Sequence, residues 1–278
     1  MIEEKSIAHN APMLTYRNLV LAFDELGLTK SSRILVHSNL NVVGDIEGGG
    51  KALLGALLAS CEMVLTPAFT HASVVVPEVG PPDNAIDYGA SEIENLDAEF
   101  FHPEMAVDKD LGALPGTILK HEASGRSSHP ILSFTGIHAA EPLALQTLAE
   151  PFGPIAWLAE FDGDILLINA DHTSNISLHY AEQLAGRQAL TRWALTEDGV
   201  VECRNIPGCS QGFEAIRAHL TGEVQQTSIG STGMELVPVR DLLHIAAGWI
   251  REDSRALLCG TPDCLYCPQV RASIRKNV

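Results

Sequence analysis

Short apolar runs alternate with amphipathic stretches along the first two thirds of the chain. Strand-like runs rich in Ile, Leu and Val, each bounded by polar residues, occupy residues 33–37, 63–67, 131–134 and 164–169. Apolar residues at helical spacing predict helices at 15–27, 51–61, 112–121 and 176–187. Because strands and helices alternate, the pattern predicts an α/β protein.

The pattern changes near residue 188. A hairpin is predicted between Trp193 and Cys203, with its turn at Glu197-Asp198-Gly199. The segments 213–221 and 237–250 and a cysteine-bearing tail follow. No internal repeat, linker or low-complexity segment divides the chain. We therefore predict a single domain, 1–278, with two intimately packed sub-lobes at about 1–187 and 188–278.

A strongly acidic segment interrupts the periodic pattern. Residues 73–111 contain several prolines and glycines and many Asp and Glu, which is typical of a functional loop or lid. The whole chain has 35 Asp and Glu against 18 Lys and Arg, a net charge of −17. A field of this sign repels phosphate backbones and attracts cations. The charge therefore argues against a nucleic-acid partner and favours a small cationic ligand.

The sequence also indicates where the protein works. No apolar run approaches the roughly 18 residues that a membrane span needs. The first residues include Glu3 and Glu4 and do not resemble a secretory signal, and six cysteines are too few for a disulfide framework. We expect a cytoplasmic protein without a membrane partner, and a homodimer is compatible with the sequence.

The most informative polar segment is 169–182. It follows the strand-like run 164–169, so Asp171 would lie just beyond a strand end, where open α/β sheets bind ligands. In the helix that follows, His179 and Glu182 are three residues apart and can touch. A carboxylate beside an imidazole raises its pKa and fixes its tautomer, which makes a general base. On spacing alone, an ordinary ion pair on a solvated helix face is the favoured interpretation of the two residues.

Other reactive residue types give weaker signals. Histidines are scattered, but no HExxH motif accompanies them, so a catalytic metal is not predicted. A GxSxG elbow for a serine nucleophile is also missing. The tail contains Cys259, Cys264 and Cys267, and either Cys203 or Cys209 would have to supply a fourth zinc ligand. Since a second CxxC is missing, free thiols are favoured over a structural zinc.

Six segments in this order resemble the aminoglycoside 3-N-acetyltransferase family. They are Ile34-Leu-Val-His-Ser-Asn-Leu40, Gly48-Gly49, Leu65-Thr-Pro-Ala-Phe-Thr70, Gly112-Ala-Leu-Pro115, Arg126-Ser-Ser-His-Pro130 with Ser133-Phe134, and Asn175-Ile-Ser-Leu-His-Tyr-Ala-Glu182. The resemblance runs from about residue 15 to 267. It implies an α/β fold distinct from the GNAT acetyltransferases, with two lobes around a central mixed sheet. It also implies acetyl-CoA as co-substrate and acetyl transfer to the 3-amine of an aminoglycoside.

The resemblance assigns roles to particular residues. His179 matches the family's catalytic histidine, and Glu182 would orient it as the base that deprotonates the amine. Oxyanion donors are expected from Ser38 and Asn39 or from Thr70, which leaves that role open. The residues predicted to hold CoA are His37, Ser38, Asn39, Leu40, Thr70, Arg126 and Ser127. The residues predicted to contact the cationic substrate are Asp171, Asn175, Glu104 and Tyr88.

Two positions depart from the family's pattern and leave the substrate open. Asn39 stands where a second serine is usual, and Ile176 replaces the threonine of the NTSLH-like segment. Another amine metabolite is therefore an alternative acceptor. A binder of cationic antibiotics without chemistry and an acyl-CoA hydrolase are the alternatives from other classes.

Overall fold

The fold consists of two β-sheets flanked by helices. The computed structural model describes residues 13–38, 46–90, 93, 95–222 and 224–276. The strands are β1 (Arg33–Ser38), β2 (Met63–Pro67), β3 (Val74–Val75), β4 (Ser124–Arg126), β5 (Phe134–Ile137), β6 (Asp164–Ile168), β7 (Leu190–Thr196), β8 (Gly199–Ile206), β9 (Gln225–Ile229) and β10 (Thr232–Pro238). The helices are α1 (Tyr16–Glu25), α2 (Gly49–Ser60), α3 (Ala113–Ile118), α4 (Ala140–Ala144), α5 (Gly153–Glu160), α6 (Ser177–Leu184), α7 (Val239–Glu252) and α8 (Cys267–Lys276).

The larger sheet is mixed, as predicted. Its strand order is β4-β5-β2-β1-β6-β10-β9. The central strand β1 runs parallel to β2 and β6, and the outer strands pair antiparallel. A smaller antiparallel sheet has the order β3-β7-β8. The prediction of an α/β fold with a central mixed sheet is therefore confirmed.

The central strands are apolar at successive positions because helices cover both faces of the sheet. Ile34 and Val36 pack with residues of α1 and α2 on one face. Leu35 points to the other face, where it belongs to the core formed with α5, α6 and α7. A strand that alternated apolar and polar residues would place polar groups in one of these two cores.

One strand prediction was wrong in position. The run 131–134 contributes only its last residue to β5, which begins at Phe134. The ring Nδ1 of His129 accepts hydrogen bonds from the backbone N–H groups of Ile131 and Leu132, at 3.2 and 3.0 Å. These bonds hold the chain in a turn, so residues 131 and 132 are buried without pairing in the sheet. The hairpin around Glu197-Asp198 is confirmed by β7 and β8.

Strands from both sides of residue 188 contribute to each sheet. β9 and β10 extend the larger sheet beside β6, and β3 pairs with β7 in the smaller one. Separating the chain at this position would expose strand edges in both sheets. We therefore continue to interpret residues 1–278 as a single domain.

Candidate functional site

Three neighbouring cavities lie where the parallel strands of the larger sheet end. β1 ends at Ser38, β2 leads into Phe69, and β6 leads into Asn169 and Asp171. Parallel strands bring their carboxyl ends to one edge of a sheet, which is where α/β proteins bind ligands. Ser174, in the 3-10 turn between β6 and α6, lines all three cavities.

The first cavity, called here the histidine cavity, contains His179. Its volume is about 370 Å³. One wall comes from the turn and helix after β6, and another comes from the smaller sheet and the loop after β8. Its lining residues are Pro67, Phe69, His71, Val74, Leu111, Ile131, Leu132, Thr173, Ser174, Asn175, Ile176, His179, Arg192, Ile206, Pro207, Gly208 and Ser210.

His179 and Glu182 are in direct contact on α6. The ring Nδ1 of His179 lies 2.6 Å from Glu182 Oε2, and each side chain is only 6% exposed. The pair is therefore buried, and the interpretation as a solvated ion pair is wrong. A carboxylate accepts a hydrogen bond from Nδ1–H, so the proton-accepting lone pair resides on Nε2. The ring also packs against Phe213, with centroids 4.5 Å apart.

A third residue, Arg187, completes this buried chain. Its guanidinium donates to Glu182 Oε1 at 2.5 Å and is 3% exposed. It also donates to the carbonyl oxygens of Ser254 and Ala256, at 3.0 and 2.8 Å. Nothing in the sequence pattern pointed to Arg187, because it follows Glu182 by five residues and α6 ends between them. Helical spacing cannot pair such residues. The one available hint was that the predicted contact with His179 uses only one oxygen of Glu182 and leaves the other without a partner.

The second cavity, called the β1 cavity, adjoins the first through Pro67, Leu111 and Ser174. Its volume is about 270 Å³, and its walls include His37, Ser38, Thr66 and Asp110. His37 Nε2 and Ser38 Oγ are buried and have no hydrogen-bond partner among the described residues. Buried polar atoms are normally satisfied, so these two are available to a ligand or to water. Asn39 and Leu40, predicted beside them, lie outside the described residues.

The surroundings of His37 and His71 move the pKa values of these two rings in opposite directions. Burial lowers the pKa of His37 to about 3, and the nearby charge of His172 acts in the same direction. The opposite holds for His71, because its ring hydrogen bond with the Asp108 carboxylate raises the pKa above the ordinary value. His37 is therefore a neutral imidazole at physiological pH, whereas Asp108 favours the charged form of His71.

The third cavity, called the acidic cavity, is the largest of the three, at about 590 Å³. Asp171 lies at its edge and accepts a hydrogen bond from the Thr173 N–H at 2.9 Å. Glu235 of β10 also lines it, paired with Arg217 and with the fully buried His172, whose Nε2 is 2.9 Å away. Two carboxylates and one guanidinium thus face this space.

The structure brings Asn175 to the histidine cavity as well. Its Oδ1 accepts the Ser177 N–H at 3.1 Å and so helps to start α6. Its amide nitrogen lies 3.3 Å from His172 Nδ1. His37, Ser38, Asp171, Asn175 and His179 are the predicted site residues that line the three cavities.

Three residues predicted to hold CoA lie elsewhere and are engaged with the protein itself. Thr70 is fully buried and donates its hydroxyl proton to the Pro130 carbonyl at 2.6 Å. Arg126 donates to the carbonyl oxygens of Ala68, Pro103 and Met105 and to Ser133 Oγ. Ser127 donates to Gln146 Oε1 at 2.5 Å. Their placement gives no support to a role in binding CoA, because their donors already hold the loops around β5.

The other two residues predicted to contact the substrate, Tyr88 and Glu104, do not line any of the three cavities. Tyr88 donates to the Pro81 carbonyl at 3.1 Å and its ring makes an edge contact with Trp193 of the smaller sheet. The Glu104 side chain is 85% exposed and lies 3.5 Å from His102. Neither placement supports a direct substrate contact. Of the acidic segment, Asp108 orients His71 and Asp110 lines the β1 cavity.

Comparison with known proteins agrees with this architecture. The family described as aminoglycoside 3-N-acetyltransferase matches residues 35–251. Aminoglycoside N(3)-acetyltransferase IX of Micromonospora chalcea is 25% identical, covering 90% of this chain and 98% of the relative. Aminoglycoside N(3)-acetyltransferase III of Serratia marcescens is also 25% identical, with 86% and 98% covered.

Solved structures share the fold. Aminoglycoside acetyltransferase AAC(3)-IVa, as apoenzyme, superposes with a TM-score of 0.77 at 23% identity, covering 95% of this chain and 99% of that one. A mutant of the same enzyme in complex with a gentamicin gives a TM-score of 0.74, covering 95% and 99% at 23% identity. The structure of AAC-IIIb with CoASH gives 0.69 at 21% identity, covering 86% and 97%.

The fold and the family match together define the class of protein as an acyltransferase enzyme. Within that class, the chain belongs to the aminoglycoside 3-N-acetyltransferase family, as the ordered motifs of the sequence indicated.

His37 and His71 should titrate on opposite sides of the ordinary imidazole pKa. Ring ¹⁵N–¹H NMR between pH 5 and 8 should show no protonation of His37, since burial excludes the cation, whereas the midpoint of His71 should lie above about 6.5. The linked stabilities have opposite signs. His37 costs stability as the pH falls below about 6.5, and His71 loses its stabilising effect as the pH rises through its raised pKa.

Substitutions His37→Gln and His71→Gln assign the two resonances. A midpoint for His37 near that of an exposed imidazole would show that its ring is hydrated and would contradict the burial argument.

Proposed function

We propose that this protein transfers the acetyl group of acetyl-CoA directly to the 3-amine of an aminoglycoside, with His179 as general base. The observation that carries the proposal is the buried contact between His179 and Glu182 at the wall of the histidine cavity. A binding protein would have no need of a carboxylate buried against an imidazole beside its ligand, because burying a carboxylate is costly.

The proton transfers follow from the geometry of α6. Only the neutral acceptor amine, formed when the ammonium gives its extra proton to solvent, has a lone pair for attack. As this amine attacks the thioester carbonyl, its nitrogen becomes acidic and His179 Nε2 takes one N–H proton. The C–N bond forms, the tetrahedral intermediate collapses, and the C–S bond breaks. The proton on His179 then passes to the departing CoA thiolate. Glu182 stabilises the imidazolium that exists between these steps.

The β1 cavity is the proposed place for the acyl end of acetyl-CoA. It shares the lining residues Pro67, Leu111 and Ser174 with the histidine cavity. It presents a neutral His37 and the Ser38 hydroxyl, and neither His37 Nε2 nor Ser38 Oγ has a partner in the described part of the chain. The Ser38 hydroxyl, and His37 Nε2 in the tautomer that carries its proton there, are hydrogen-bond donors suited to the thioester oxygen, where negative charge develops in the transition state. AAC-IIIb, which shares the fold, has been solved with CoASH.

The acidic cavity is the proposed place for the amine substrate. Asp171 and Glu235 supply negative charge there, and it meets the histidine cavity at Thr173 and Ser174. A polyamine needs several anionic or neutral acceptors, and the net charge of −17 adds a field that steers cations toward the protein. The AAC(3)-IVa mutant that shares the fold has been solved with a gentamicin.

The expected cellular setting agrees with this reaction but remains a proposal. Acetyl-CoA is a cytoplasmic metabolite, which agrees with the cytoplasmic location predicted from the sequence. Among the described helices, none is long and apolar enough to cross a membrane. The homodimer stays a prediction.

Release of free CoA thiol from acetyl-CoA, measured with and without a gentamicin-like amine, tests the function. A transferase gives release that depends on the amine, with an acetylated product whose position NMR assigns to the 3-amine. Equal release without amine would indicate a hydrolase, and amine binding without release would indicate a binder. An amine panel decides whether a different acceptor is preferred.

His179→Ala should lower kcat about a hundredfold or more, because the general base is lost. The dissociation constant of CoA, measured by calorimetry, should hardly change, since the substitution leaves the β1 cavity intact. The matched control is His244→Ala, which removes an exposed histidine from the surface of α7. Wild-type turnover in the His179 variant would remove this residue from the mechanism.

Asp171→Asn should raise the KM for the amine, by roughly threefold to tenfold at low salt. The asparagine keeps an oxygen for the Thr173 N–H, so the turn before α6 is preserved. The effect should shrink with added salt, because the Debye length falls to about 10 Å at 0.1 M. Asp198→Asn in the exposed turn of the β7–β8 hairpin is the control. A salt-independent increase would indicate direct contact and not steering.

A further inference from the structure

Four cysteines come together beside the loop that follows β8. They are Cys209, Cys259, Cys264 and Cys267, and their Sγ atoms all lie within 4.8 Å of one another. Cys259 and Cys267 are buried, the other two are half-buried, and all four are free thiols. The sequence placed three of them in one tail but left Cys203 and Cys209 as equal choices for the fourth. In the folded chain Cys209 lies beside the three tail cysteines, whereas Cys203 lies in the middle of β8 and is not part of the group.

The spacing of the four sulfur atoms suits a tetrahedral metal ion. With zinc–sulfur bonds of about 2.3 Å, the edges of a regular tetrahedron of thiolates are about 3.8 Å long. The observed upper limit of 4.8 Å leaves only a small contraction to reach that geometry. Four thiolates without oxygen or imidazole ligands are the donor set of a structural zinc site, since they occupy every coordination position.

The surroundings of the sulfur atoms are also those of a thiolate cluster. The backbone N–H of Gln211 donates to Cys209 Sγ, and the N–H of Cys267 donates to Cys264 Sγ, both at 3.4 Å. Such donors stabilise sulfur ligands from the outer shell of a metal site. Zinc with four thiolates has a net charge of about −2. The Arg271 guanidinium, which donates to the Cys259 carbonyl, supplies a nearby compensating charge.

We propose that Cys209, Cys259, Cys264 and Cys267 bind one structural zinc ion. The sequence favoured free thiols because it contains only one CxxC, but the fold delivers Cys209 from a distant loop and so completes the set. The ion would join the loop after β8 to the segment that leads into α8. It would take no part in acetyl transfer, because four cysteines leave it no open position.

The site would stabilise one wall of the histidine cavity. Pro207, Gly208 and Ser210, which flank Cys209, line that cavity. Tyr266, which precedes Cys267, packs so closely on Gly208 that a side chain there would clash. Its hydroxyl donates to the Gln188 carbonyl at 2.8 Å. Zinc would therefore fix both ends of the contact between this loop and the tail.

Metal analysis of the purified full-length protein tests the proposal without using activity. The protein is produced with zinc in the medium, purified without a metal-affinity tag and dialysed against a weak chelator. We expect about one zinc per chain by elemental mass spectrometry. Cys209→Ser and Cys264→Ser should each lose most of it. Cys61→Ser, which removes a buried cysteine on the other side of the larger sheet, should retain it.

Measurements on the wild-type protein decide the case even where a variant fails to fold. Native mass spectrometry should show one bound zinc. A mercurial reagent should release this zinc as it binds the four cysteine sulfur atoms. Hydrogen exchange of residues 207–210 should then accelerate. Three outcomes would each overturn the proposal. The first is a zinc content far below one per chain after incubation with added zinc, and the second is loss of the zinc to the weak chelator. The third is a mass of the denatured protein lower by the hydrogen atoms that are lost when cysteines form disulfides.

Discussion

The arrangement of the candidate site depends on one buried carboxylate. Glu182 lies inside the protein with 6% of its side chain exposed, and an unpaired charge at that depth would destabilise the fold by several kcal/mol. It is compensated on both oxygens, by His179 at 2.6 Å and by Arg187 at 2.5 Å. Arg187 is itself tied to the Ser254 and Ala256 carbonyls. The imidazole is consequently held by a chain of contacts that extends from α6 to the segment after α7.

The second constraint is the burial of the parallel strands on both faces. β1 and β6 can present polar groups to a ligand only where they end, because helices cover their sides. His37 and Ser38 at the end of β1, and Asn169 to Asp171 after β6, are therefore delivered to the same edge. The turn His172–Ser174 then reverses the chain into α6 and places His179 beside them.

The smaller sheet closes the site from the opposite side. β7 contributes Arg192, and the end of β8 with its following loop contributes Ile206 to Ser210. This loop is positioned by Tyr266 and the cysteine-bearing tail. A cavity built between two sheets requires both to be fixed, which gives a physical reason for the cluster of four cysteines behind this wall.

Periodicity within one element was enough to predict the central apolar strands, several of the amphipathic helices and the possible contact between His179 and Glu182. The helices Ala140–Ala144, Gly153–Glu160 and Cys267–Lys276 were not predicted. The motifs of the sequence also sufficed to indicate the family. Which polar residues share a cavity became visible only in the folded chain. Arg126 and Ser127 look like phosphate ligands in the sequence, yet their donors are used by neighbouring loops. Arg187 and Cys209 acquire their partners from segments distant along the chain, and periodicity carries no information about such contacts.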